Sequence, residues 1–524
     1  MTMTAKWLDR VGDWNPQLFR ELKGRLKWRS VLFVGFAALL VQFLLGSVLS
    51  SEDSDPVGVF RMLNWLLPLL LLVPGTVMLM TDLEQEERRG TLNFIRLSPQ
   101  TSQSILLGKL LGVPILLYLG AALLVPLHIW STIASQVPPG FLLSFYGLLG
   151  VACALVFSLA SLSAFLGRFS TSTVNAFGNA TTLFATFFVG VAFLPIYISW
   201  NQLTVWRFFL QGQMDPSEFF DMRWFFLPIS ENLAIAHGFT LLNAGLAIYW
   251  VWHILNRCFC SPTSALLSKR HSYFMTAHLE LFMLGFLVQI SGSLNATSDW
   301  FGVLLCVCLA NLIWFGVLMV LLSPQRQALL DWARYRHSMN TAASGGTRRA
   351  LIADLVWGDK SPALVAMFLN FSFVVALLGT WLLVVADEAA KFQLLMGLLL
   401  SFTLLAIYAA IAQFATLAKS RQQVLQVATA IGGAAVLPPL ILVLVAQGEP
   451  NQGKELMLFS PLLWLVLEEV SKTAIALSLL GQLGLLGLLT FRFTQKLGRL
   501  GASETKALLT GRDTAFRVRP QGAD

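Results

Sequence analysis

Residues 81–92 read Thr-Asp-Leu-Glu-Gln-Glu-Glu-Arg-Arg-Gly-Thr-Leu, and residues 97–112 read Leu-Ser-Pro-Gln-Thr-Ser-Gln-Ser-Ile-Leu-Leu-Gly-Lys-Leu-Leu-Gly. The first stretch is charged, yet long apolar runs flank the pair on both sides. Thr81 followed by Glu84 spells a capping box. Four of residues 82–87 are acids, and Arg88 and Arg89 come just before Gly90, an order that suits a helix aligned with its own dipole. Charges of this density do not belong in hydrocarbon, where each costs roughly 2.5 to 3.5 kcal/mol on insertion scales. The expectation is a short helix between two spans, lying at the membrane surface and offering its charges to something soluble.

Composition sets the frame around that segment. The chain has 524 residues, 56% of them hydrophobic and 12% charged, with a mean hydropathy of +0.69, outside the range of soluble domains. A bilayer span takes about 20 apolar residues, and apolar runs recur from residue 31 to residue 493 with short polar breaks. The expected fold is all-α, a polytopic transmembrane bundle of about twelve spans. The net charge of +8 would suggest nucleic acid in a soluble protein. Here all but six of the 36 Lys and Arg (Arg61, Arg207, Arg223, Lys391, Lys454 and Lys472) fall on one side of the expected bundle. The positive-inside rule makes that side cytoplasmic, together with both termini. The basic balance is thus topology, and no nucleic-acid partner is expected.

Residues 87–92 (Glu-Arg-Arg-Gly-Thr-Leu), 97–99 (Leu-Ser-Pro) and 105–110 (Ile-Leu-Leu-Gly-Lys-Leu) resemble the intracellular coupling segment and following span of type-2 ABC exporter permeases. The match departs at Asn93, where the family often carries Glu. The resemblance implies that Glu84, Glu86, Glu87, Arg88, Arg89, Gly90, Thr91 and Leu92 touch a separate ATPase subunit. It also implies that ATP and Mg sit on that partner, with no cofactor on this chain. The chain lacks the Gly-x-x-x-x-Gly-Lys-Ser/Thr phosphate cradle, so ATP-driven work would require another polypeptide.

An internal duplication is expected. Asn15-Pro16 opens an amphipathic helix in which Leu18, Phe19, Leu22 and Leu26 share a face for the inner leaflet. Spans then follow at 31–49, 57–80, 105–130, 141–166, 171–198 and 239–255. Ser261-Pro262 echoes that opening, and spans recur at 274–294, 301–322, 364–385, 392–417, 424–446 and 473–493. The reading is a first permease unit at 1–260, a second at 261–493 in parallel orientation, and a basic cytoplasmic tail at 494–524. A second ATPase contact would lie among residues 326–349. In the fifth span, Asn175, Asn179, Thr182 and Thr186 recur at helical spacing. Gln422, Gln426, Thr429 and Gly433 repeat the same steps in the eleventh. Polar stripes in lipid must face protein or water, so these residues are expected to line a transport path or to bond helix to helix.

Smaller features complete the reading. Gly108 and Gly112 allow close helix approach, Lys109 snorkels to the interface, and His278 with Glu280 either anchors a helix end at the interface or serves a proton relay. Residues 229–236 re-enter the outer leaflet after Pro228, with Glu231, and likewise Glu468 and Glu469, as caps. No metal or nucleophile motif occurs, so no catalytic residue is expected. The function expected is the membrane subunit of an ABC exporter in a bacterial inner membrane, carrying an unidentified substrate and paired with two ATPase subunits. The alternatives are an ion-driven secondary transporter and a membrane-embedded lipid-modifying enzyme.

Overall fold

The computed structural model describes residues 10–49, 56–166, 209, 222–261, 264–291, 297–341, 347–417, 432–433, 435–441 and 454–501. In hydrocarbon a backbone satisfies its own polar groups as helix, and the apolar runs form helices. Among the described residues ten are long and apolar enough to cross a membrane. Expected span 171–198 and most of 424–446 lie outside the described residues, and with them Asn175, Asn179, Thr182, Thr186, Gln422, Gln426 and Thr429. The chain divides into two compact units, Met1–Pro262 and Thr263–Asp524.

The first unit runs α1 (Pro16–Arg25), α2 (Trp28–Leu49), α3 (Pro56–Arg88), α4 (Thr91–Arg96), α5 (Ser102–Gly112), α6 (Ile115–Ala134), α7 (Gly140–Leu166), a two-residue-strand hairpin (β1 Arg223–Trp224, β2 Leu227–Pro228) and α8 (Leu233–Cys260). Helix α3 packs on α6 and α7, α8 packs on α7, α2 on α6, and α1 on α5. Asn15 caps α1 as expected, its Oδ1 accepting from the Leu18 amide at 2.9 Å with Pro16 in the first turn. Its apolar face, Leu18 and Leu22, is buried. That face packs on α5, a protein surface where lipid had been expected.

Three expectations for this unit are corrected. Residues 81–88 start no new helix, because α3 continues through them without a break. Thr81 is an interior residue whose hydroxyl donates to the Val77 and Met78 carbonyls at 2.8 and 3.1 Å. The span expected at 105–130 is two helices, α5 and α6, separated at Val113 and Pro114. Proline has no amide hydrogen to offer and crowds the carbonyl four residues back. No re-entrant helix follows Pro228 either; the hairpin leads into α8, capped by Asn232 at 2.9 Å from the Ala234 amide. Glu231 pairs with Arg223 at 2.7 Å and caps nothing.

The second unit runs α9 (Lys269–Ser291), α10 (Thr297–Leu322), α11 (Arg326–Thr341), α12 (Thr347–Trp357), α13 (Leu364–Val385), α14 (Glu388–Thr416), two 3-10 turns (Lys454–Phe459 and Leu463–Leu465) and α15 (Lys472–Gly501). Its packing repeats three pairings of the first unit: α9 on α13 as α2 on α6, α10 on α14 as α3 on α7, and α14 on α15 as α7 on α8. Each unit also inserts two short helices at the same point, α4 and α5 in one, α11 and α12 in the other. The expected tail begins late. Helix α15 continues to Gly501, and Phe493 and Leu497 bury against Leu329, Ala333 and Leu417. In the 3-10 region Glu469 pairs with Lys454, and buried Trp464 donates to Ser401 at 3.0 Å.

Candidate functional site: a charged knuckle on the first unit

Helix α3 projects past its apolar part and stops at Gly90, whose φ of +72° is a left-handed conformation that side chains resist. The Gly90 amide donates to the Glu87 carbonyl at 3.0 Å, and the Thr91 hydroxyl donates to the Glu86 carbonyl at 3.1 Å. Gly-Thr is therefore the chemistry of the corner between α3 and α4. On α4, Leu92 and Ile95 are buried while Phe94 is 77% and Leu97 83% exposed. Arg96 lies over the Phe259 ring of α8 at 5.3 Å. Together with exposed Gln85, Arg88 and Arg89, this corner presents a mixed cationic and apolar surface.

Beneath it lies an ion network that sequence reasoning did not foresee. Lys109 of α5 is 1% exposed. Its Nζ sits 2.6 Å from Asp82 Oδ2, 2.9 Å from Glu86 Oε2 and 3.2 Å from Glu21 Oε1. Arg25 bridges Asp82 at 2.6 Å and Glu21 at 3.2 Å, and Arg20 reaches Glu86 at 2.5 Å. Three acids thus meet three bases drawn from α1, α3 and α5. Burial alone would raise the Glu21 carboxyl, but Lys109, Arg25 and Arg20 outweigh it and hold the group below its ordinary value. Burial alone would lower the Lys109 ammonium, and Asp82, Glu21 and Glu86 outweigh it in turn, leaving it above its ordinary value.

Lys109 is therefore a buried ion partner, and the snorkelling expected of it is corrected. The three carboxylates lie within 4.8 Å of one another, a spacing suited to a cation. The Lys109 ammonium already supplies that charge. Close approach is what makes the network possible. A Cβ at Gly112 would stand 2.5 Å from Glu21 Cβ, and one at Gly108 would stand 2.8 Å from the Leu18 amide nitrogen. Asn15 Nδ2 adds a bond to the Ser104 carbonyl at 2.8 Å.

The sequence-predicted coupling residues thus separate into two groups. Glu86 is turned inward as part of the network, and Leu92 is buried. Glu84 pairs loosely with Arg88 at 3.9 Å, while Arg88, Arg89 and Thr91 face outward. The second unit's counterpart is built differently. Asp354 of α12 receives Arg336 at 2.9 Å and the Trp332 indole, and Lys269 donates to the carbonyls of Leu355 and Pro362 at 2.8 and 2.9 Å. No carboxylate triad forms there among the described residues.

No family model matches this chain, and no curated protein or solved structure is significantly similar to it.

Proposed function

We propose that this protein is the membrane subunit of an ATP-driven exporter, and that its knuckle at residues 85–97 docks a separate cytoplasmic P-loop ATPase. The observation that carries the reading is mechanical. The corner at Gly90 is fixed to α1 and α5 by a buried ion network and to α8 through Arg96, so a push on its outer face is passed to several helices at once. A loose surface loop would absorb the same push. The resemblance of residues 87–92, 97–99 and 105–110 to exporter permeases supports the same role. The contact surface assigned is Gln85, Arg88, Arg89, Phe94 and Leu97, with the inward acids as its foundation. Burying one large apolar side chain gains roughly 1.5 to 3 kcal/mol, so Phe94 and Leu97 would supply much of the affinity.

Under this reading the second unit offers a different surface on α11 and α12, giving two unequal ATPase contacts. Both termini face the cytoplasm of a bacterial inner membrane. The experiment is affinity purification in mild detergent followed by peptide identification. The reading predicts a co-purifying protein with a Gly-x-x-x-x-Gly-Lys-Ser/Thr motif, lost in Phe94→Ala/Leu97→Ala. Recovery of the chain alone, with both units folded, contradicts it.

One observation favours the ion-driven alternative. Sequence reasoning placed Glu280 near an interface, whereas it lies midway along α9 and is fully buried. An acid at that depth is what carriers driven by ion gradients use.

A further inference from the structure

Glu280 is 0% exposed, and among the described residues neither of its carboxyl oxygens has a hydrogen-bond partner. Its surroundings follow from the register of α9 against α10. Trp314 Nε1 donates to Thr276 Oγ1 at 3.2 Å. One turn further along these oppositely running helices, Glu280 meets Asn311. Asn311 is also fully buried; its Nδ2 donates to the Val307 carbonyl at 3.2 Å, and its Oδ1 has no donor. Three acceptor oxygens therefore share this space, and the Asn311 amide, already donating to Val307, is the donor that reaches toward the acid without forming a well-aligned hydrogen bond to it. A native interior does not leave such atoms unpaired without a reason.

The neighbouring groups do not supply a countercharge. Cys308 of α10 is buried beside the acid, next to the bonded pair Ser401 and Trp464. His278 is two residues away on α9, a spacing that points side chains to different faces. Helix α13 carries no titratable residue, and Asp354 of α12 lies at the Lys269 end of α9. A sodium ion would want about six oxygens, more than the three here. A single proton fits: added to one Glu280 oxygen, it removes the charge and becomes the donor that Asn311 Oδ1 lacks.

We propose that Glu280 is a proton-binding site at the centre of the second unit, loaded in the resting protein and hydrogen-bonded to Asn311. Loading takes one proton from water onto the carboxylate. Release returns it to water and leaves one negative charge, which the apolar surround excludes until α9 and α10 part and admit solvent. The site therefore couples separation of these two helices to the movement of one proton. This holds whether or not an ATPase docks on the first unit.

The test uses the purified full-length chain alone, so its outcome is independent of the ATPase reading. A hydrophobic carbodiimide adds only to protonated carboxyl groups, and mass spectrometry locates the adduct. Glu280 is expected to be labelled in the folded protein, with the rate falling about tenfold per pH unit above its midpoint, the slope of a single-proton titration. Labelling is lost in Glu280→Gln. That isosteric variant is expected to melt with the native chain at about pH 5 and above it at about pH 8, because only the native chain must bury a charge there. Labelling of Glu280 in the denatured chain but not in the folded one overturns the proposal. So does a Glu280→Gln melting temperature lowered equally at both pH values, which would mean a charged, paired carboxylate.

Discussion

Replacing Lys109 with Met tests whether the first unit is held together as described. Methionine keeps the length of the side chain and removes three contacts of 2.6, 2.9 and 3.2 Å with Asp82, Glu86 and Glu21. Three acids then face only Arg20 and Arg25. Deleting one partner of a buried ion pair costs about 3 to 5 kcal/mol. The Lys109 side chain is 2% exposed, while those of Glu21, Glu86 and Asp82 are 9, 16 and 20% exposed, so water relieves part of the loss. The low end, about 3 kcal/mol, is the expected cost. In a domain of this size that corresponds to a fall in melting temperature of roughly 6 to 12 °C, read by a thermal melt in detergent. Adding Glu86→Gln restores the charge balance, because Arg20 and Arg25 then meet Glu21 and Asp82 alone. The double variant is expected to recover about 1 to 2 kcal/mol of the loss. A Lys109→Met melt within about 1 °C of the native value, or no recovery in the double variant, refutes the network as a structural clamp.

Four further outcomes follow from the same geometry. Gly112→Ala places a Cβ 2.5 Å from Glu21 Cβ and should destabilise the first unit by about 1 to 3 kcal/mol in the same melt. Asn15→Ala removes the α1 cap and the bond to Ser104, and should cost about 1 to 2 kcal/mol. The network also fixes a pH window. Glu21 is held below its ordinary value, so its contribution is present above about pH 4.5 and is lost as pH falls through its folded value. Lys109 is held above its ordinary value, so its contribution is complete below about pH 10.5 and is lost as pH rises through its folded value. In Lys109→Met the alkaline loss should vanish from a pH series of melts. Under the proposed exporter reading, Arg89→Glu alters an exposed side chain and should weaken ATPase binding about tenfold while shifting the melt by under 0.5 kcal/mol. An ATPase-binding titration and a melt on the same sample separate the two effects.

Much of the fold was legible because each span is a run of about 20 apolar residues. α13 lies at 364–385 as read, and α7 and α10 match closely. Helix ends were harder to read. Threonine serves equally as a cap and as an interior residue that bonds back to the preceding turn, so Thr81 was misread and α3 lost its last eight residues. The start of α9 was placed five residues late, which moved Glu280 from the middle of the helix to near its start. Of the site, Gly90 was legible as a helix stop because its left-handed backbone favours glycine. Lys109 was not, since its partners come from segments 88 and 27 residues away and a single buried cation looks like a snorkelling one in sequence. Charge reversals at Glu86 or Arg336 would therefore unfold local structure before they tested docking, which leaves Arg89, Phe94 and Leu97 as the positions to probe.

The most direct test of the exporter reading is a photo-activated cross-linker placed at Phe94 in living cells. The account predicts an adduct with a cytoplasmic protein bearing a P-loop ATPase motif, weakened by Arg89→Glu. Adducts with lipid alone, or with a protein from the opposite side of the membrane, would contradict it.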